Sequence, residues 1–82
     1  MSRNTPTEVL VAVHFDPPNG RAILVSVDGE NSHATWIAKS LISSKHLTGK
    51  TTQGTDGKGA RVTLALANMT IPEWLAIDRR FV

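Results

Sequence analysis

With 82 residues, 40% of them hydrophobic and 20% charged, the chain has the composition of one globular domain and not of a disordered segment. It contains no cysteine, which excludes disulfide frameworks and thiolate zinc sites, and no apolar run approaches the ~20 residues a membrane-spanning helix needs. A formal net charge of +2 points only weakly to a polyanionic partner, so the distribution of charge matters more than its sum.

A chain this short buries only about 60% of its unfolded surface, so apolar packing alone must hold a small core. Self-association into a homodimer would add to it. Residues 1–7 read as a flexible lead-in to a single β-rich domain over 8–82. The opening Met-Ser-Arg-Asn-Thr-Pro lacks the apolar segment of a secretory signal, and a cytoplasmic protein away from membranes is expected.

In Glu8–Asp16, Val9, Val11, Val13 and Phe15 alternate with Leu10, Ala12 and His14, the period of a strand. His14, opposite the valine row, reads as a structural histidine before a partner-facing one. Asp16-Pro-Pro-Asn-Gly20 is a turn, with Asn19-Gly20 expected to supply the positive φ of a hairpin corner. A second strand follows over Arg21–Asp28, with Ile23, Val25 and Val27 inward. Asp28-Gly29 opens the next turn, and Ser32–Ala38 is extended around Trp36, read chiefly as core, with an exposed binding face as the alternative. Lys39–Ser43 leaves as a short strand or turn.

Thr48–Gly59 holds four of the six glycines and no large apolar residue, which predicts a mobile loop over 48–59. Ala60–Ala67 alternates again, with Val62, Leu64 and Leu66 inward. The run Thr70-Ile-Pro-Glu73 matches a capping box and predicts a terminal helix, with Trp74, Ile77 and Phe81 as its apolar stripe and Arg79 and Arg80 at its negative end. The expected fold is mainly β (α+β): a small bent antiparallel sheet, or an SH3- or OB-like barrel, with one C-terminal helix.

No catalytic constellation can be assembled. Gly49-Lys50-Thr51 ends like a phosphate-binding P-loop, but Ser44 stands where that motif needs its first glycine. His14, His33 and His46 show no metal-ligand spacing, and Asp16, Asp28 and Asp56 all sit in turns, where aspartate bonds its own backbone. Asn68-Met-Thr70 is a formal glycosylation acceptor better explained by capping. Neither an enzyme, a cofactor nor a metal is expected.

What remains is charge. Residues 39–61 carry Lys39, Lys45, Lys50, Lys58 and Arg61 against Asp56 alone, so these five are the candidate nucleic-acid-binding residues. The expected function is a small binding module that contacts nucleic acid through this basic segment; the alternative is a protein-binding inhibitor or adaptor.

Two stretches also carry a resemblance. Ala22–Gly29 followed by Thr35-Trp-Ile-Ala-Lys-Ser-Leu-Ile42, and Val62-Thr63 through Ile71-Pro-Glu-Trp-Leu-Ala76, resemble the strand, the tryptophan-centred segment and the closing helix of small phage and mobile-element proteins. The likeness covers about half the chain and departs at Ala38 and Leu41, where the pattern has Pro and Gln. It implies a compact accessory protein that binds nucleic acid or inhibits a host defence protein, in the manner of an anti-CRISPR, and it brings no catalytic residues.

Overall fold

The structure, a computed structural model, describes residues 5–81. It is mainly β: β1 (Pro6–Phe15), β2 (Ala22–Ser26), β3 (Thr35–Ala38), β4 (Ser44–Thr55) and β5 (Arg61–Pro72), closed by α1 (Glu73–Asp78). All neighbours pair antiparallel in one sheet, in the order β3-β2-β1-β5-β4. Of the expected lead-in, residues 1–4 lie outside the described residues, and Pro6 and Thr7 already pair with Pro72 and Ile71.

The sheet is bent and unclosed, so the sheet expectation holds and the closed barrel does not form. Thr55 N, at the end of edge strand β4, donates to Gly29 O just past β2 at 3.0 Å. In a flat sheet those strands would stand three spacings, about 14 Å, apart. The bend brings them together.

The alternation of β1, β2 and the second half of β5 forms the inner face. Val9, Val11, Ile23, Val25, Ile37, Met69 and Ile71 bury there beneath Leu75 and Ala76 of α1, with Val13, Leu41, Ile42 and Phe81 at the margin. β5 changes its packing side along its length. Leu64 is buried on the opposite, outer face with Ala12 and Ser26, whereas Ala67, Met69 and Ile71 are buried on the inner one. The expected row Val62, Leu64, Leu66 thus belongs to the outer face.

Several local expectations are corrected. The stretch 48–59 is mostly strand: β4 runs to Thr55 and only a tight turn over 56–60 remains, closed by Gly59 N to Asp56 O at 3.0 Å and Asp56 N to Ala60 O at 2.9 Å. Thr70 caps nothing. It lies in β5, its hydroxyl accepts from Ser44 Oγ at 3.1 Å, and Pro72 occupies the helix N-cap without a side-chain bond. The helix has six residues, too few for a Trp74–Ile77–Phe81 stripe; Trp74 and Ile77 are exposed, and Leu75 and Ala76 form the buried side. The first turn closes through Gly20 N to Pro17 O at 3.0 Å, with neither Asn19 nor Gly20 at positive φ. Val27 falls beyond the end of β2 and is exposed.

Candidate functional site

The outer face carries a site that alternation alone does not reveal. β1 is bulged: Val13 pairs with Val25 but Phe15 pairs with Leu24, so one extra residue, His14, is inserted. That insertion rotates Phe15 out of the valine row and onto the outer face. Leu24 in turn pairs with Trp36. The two rings meet edge to face, 6.2 Å between centroids and at 82°, a favoured aromatic geometry. Phe15 is 56% exposed and Trp36 50%, which corrects the reading of Trp36 as core; Leu10, further along the same face of β1, is 51% exposed.

Beside the aromatic pair lies an open cleft of about 460 Å³, walled by His14, Phe15 and Leu24 on one side and by Thr55, Asp56, Val62 and Leu64 on the other. Its floor is apolar and its rim is acidic or neutral. Asp56 lines it, and Glu30 Oε2 accepts from the Thr55 hydroxyl at 3.2 Å. β1, β2 and β3, which carry the aromatic pair, contain no Lys or Arg.

The five candidate cations lie elsewhere and do not form one cluster. Asp16 bridges two of them: Lys39 Nζ lies 3.0 Å from its Oδ1 and Lys45 Nζ bonds its Oδ2, while Lys39 also donates to Pro17 O at 2.7 Å. The hydrogen bonds from Lys45 and then Lys39 hold the Asp16 carboxyl below its ordinary pKa. Lys50 sits in the irregular stretch of β4 between Leu47 and Thr51, Lys58 in the hairpin turn, and Arg61 at the start of β5. Along a hairpin of 12-residue strands, Lys45 and Lys58 stand about 30 Å apart. Lys45, paired with Met69, projects on the inner-face side, opposite the aromatic pair, whereas Arg61 pairs with Thr55 at the far end of the hairpin.

Two histidines hold the turn after β2. Ser26, fully buried, accepts from Gly29 N at 2.9 Å and lies 2.7 Å from His14 Nε2. A serine beside a histidine suggests a nucleophile, but this hydroxyl is sealed from solvent and engaged on both sides. Asp28 Oδ1 accepts from Glu30 N at 2.9 Å and Asp56 Oδ1 from Lys58 N at 2.8 Å, the local bonding expected of turn aspartates. Asp28 Oδ2 also pairs with His33 Nδ1 at 2.6 Å.

Burial pushes the His14 pKa below its ordinary 6.5, outweighing the Asp28 charge and the Thr55 backbone. The hydrogen bond and charge of Asp28 raise that of His33 above 6.5. An NMR pH titration of the imidazole carbon protons therefore gives midpoints on opposite sides of 6.5, His33 high and His14 low; the reverse order would contradict the two environments.

Among the described residues, no group of three or more His, Asp or Glu side chains could hold a metal ion, and no helix is long and apolar enough to cross a membrane. No protein-family model, no curated protein and no solved structure matches the chain.

Proposed function

We propose that the chain is a non-catalytic protein-binding module whose contact surface is the outer sheet face around Phe15 and Trp36. The observation that carries this reading is the exposure of Leu10, Phe15 and Trp36, each at least half open to solvent, on one face of strands that contain no Lys or Arg. Contiguous apolar surface beside a cleft marks interaction sites, and aromatic anchors dominate their energetics. The cleft fits an apolar side chain of the partner, and Asp56 and Glu30 at the rim favour basic over acidic flanking residues.

Binding of nucleic acid through Lys39, Lys45, Lys50, Lys58 and Arg61 is the weaker reading. Two of these lysines share Asp16, and the aromatic pair that could stack on bases faces away from Lys45. Action on a host defence protein is an expectation from the sequence resemblance alone.

Selection of a random peptide library on the immobilised protein tests the proposal. Enriched peptides carry an apolar or aromatic residue flanked by Lys or Arg. They lose at least about thirtyfold in affinity for a Phe15→Ser, Trp36→Ser double variant, the effect of a hot-spot loss of ~2 kcal/mol. Both side chains are exposed, so circular dichroism should show the fold intact. Equal binding by the double variant, or enrichment of acidic peptides, would sink the reading. Salt-sensitive binding of single-stranded DNA that survives the double substitution would favour the basic residues instead.

A further inference from the structure

A second cavity, of about 340 Å³, lies between the turn after β2 and the C-terminal end of α1. Val27, Asp28, His33, Arg79, Arg80 and Phe81 line it, and none of them lines the cleft beside Phe15. How α1 ends accounts for its chemistry. Phe81 N donates to Ala76 O at 2.8 Å and Arg80 N to Ile77 O at 3.1 Å, the two bonds of a Schellman motif, and Phe81 packs against the core as the motif favours.

Such a motif places one residue in the left-handed region, where glycine fits without a Cβ clash. Here that residue is Arg80, with φ of 59°, the one non-glycine residue at positive φ among those described. A residue held in this conformation against its preference invites a functional account of its side chain. The fold makes no use of it: the Arg80 guanidinium has no hydrogen bond or ion pair with any described residue, whereas Arg79 bonds Asp78 Oδ2 at 2.5 Å. The opposite wall holds His33, whose Nδ1 is fixed on Asp28, and Val27 and Phe81 supply apolar surface.

We propose that this cavity binds the carboxylate of an apolar acid. The Arg80 guanidinium grips both carboxylate oxygens, the fork geometry for which arginine is suited. Val27 and Phe81 receive the hydrocarbon part. Asp28 in the same wall disfavours a phosphate dianion by like-charge repulsion and leaves a singly charged carboxylate as the ligand class.

The test is an NMR amide titration of the full chain with benzoate, with acetyl-Gly-Gly-Phe, with its C-terminal amide and with inorganic phosphate. Benzoate gives saturable shifts confined to Val27–His33 and Arg79–Phe81, and phosphate does not. Benzoate and the tripeptide binding alike indicates a small-acid site; binding of the tripeptide alone, with its amide silent, indicates a peptide C-terminus. Arg80→Gly relieves the left-handed arginine, which offsets the added freedom of the unfolded chain, so it melts no lower than the parent while its affinity for the carboxylate falls at least about tenfold. Undiminished binding by this folded variant, or no saturable shift in the parent, overturns the proposal.

Discussion

Gly54→Ala lowers the melting temperature by about 5–15 °C, the expression of an overpacking cost of about 1–3 kcal/mol in a domain of this size. Gly54 lies in β4 opposite Val62, where the turn after β2 crosses the outer face. A Cβ at this position would stand 2.3 Å from Gly29 O and 2.5 Å from Leu64 Cδ1. Leu64 can turn aside, but the carbonyl cannot. Gly29 O already accepts from Thr55 N at 3.0 Å, and Gly29 N donates to Ser26 Oγ at 2.9 Å. Moving the carbonyl therefore strains the contacts that bend the sheet. Gly49→Ala is the matched control. A Cβ there meets nothing within 4 Å, and only its φ of 82° opposes the change. Thermal melts of the two variants separate close approach from backbone conformation. A Gly54→Ala midpoint at or above that of Gly49→Ala would show that the turn is free to move.

Burial at alternate positions decides which strands are legible in the sequence. β1, β2 and β3 bury side chains at every second position, so Val9, Val11, Ile23, Val25 and Ile37 announce their strands through period two. β4 offers no such signal. It is an edge strand, and between Lys45 and Gln53 every residue is exposed or half-buried, so its order comes from pairing with β5 and not from an apolar row. Threonine, glycine and lysine along it then resemble a loop.

The end of β5 misleads in another way. Thr70-Ile-Pro-Glu73 satisfies a local capping pattern, but Thr70 pairs with Glu8 on one side and Ser44 on the other. Tertiary pairing overrides the local motif, and the helix begins three residues later, at Glu73. The candidate face was hidden for a geometric reason. Phe15 belongs with the valines by count, and only the extra residue at His14 turns it toward Trp36. The bulge leaves no trace in the hydrophobic pattern, though Phe15 beside two prolines marks where regular pairing ends. The locally basic segment, by contrast, is a real feature of the sequence that folding disperses along the β4–β5 hairpin and partly cancels at Asp16.

His14→Ala destabilises the chain by about 1–3 kcal/mol at neutral pH, because it leaves the proton of a sealed hydroxyl without an acceptor. Ser26 is 0% exposed and accepts from Gly29 N, and with the His14 ring neutral its own proton goes to Nε2, 2.7 Å away. Burial lowers the His14 pKa below 6.5, so protonation favours the unfolded chain. The contribution of His14 is therefore complete above pH 6.5 and is lost as pH falls through the folded-state value. His33 runs the other way: its raised pKa gives a contribution present below 6.5 that is lost as pH rises through its folded-state value. The two oppose each other in the parent, so the pH profile of the parent alone is a poor readout. The gap in unfolding free energy between the parent and His14→Ala isolates the first, because His33 is common to both. Urea unfolding shows that gap narrowing from about pH 7.5 to about pH 5. A constant or widening gap would mean that His14 already carries its proton in the fold, with Ser26 oriented the opposite way.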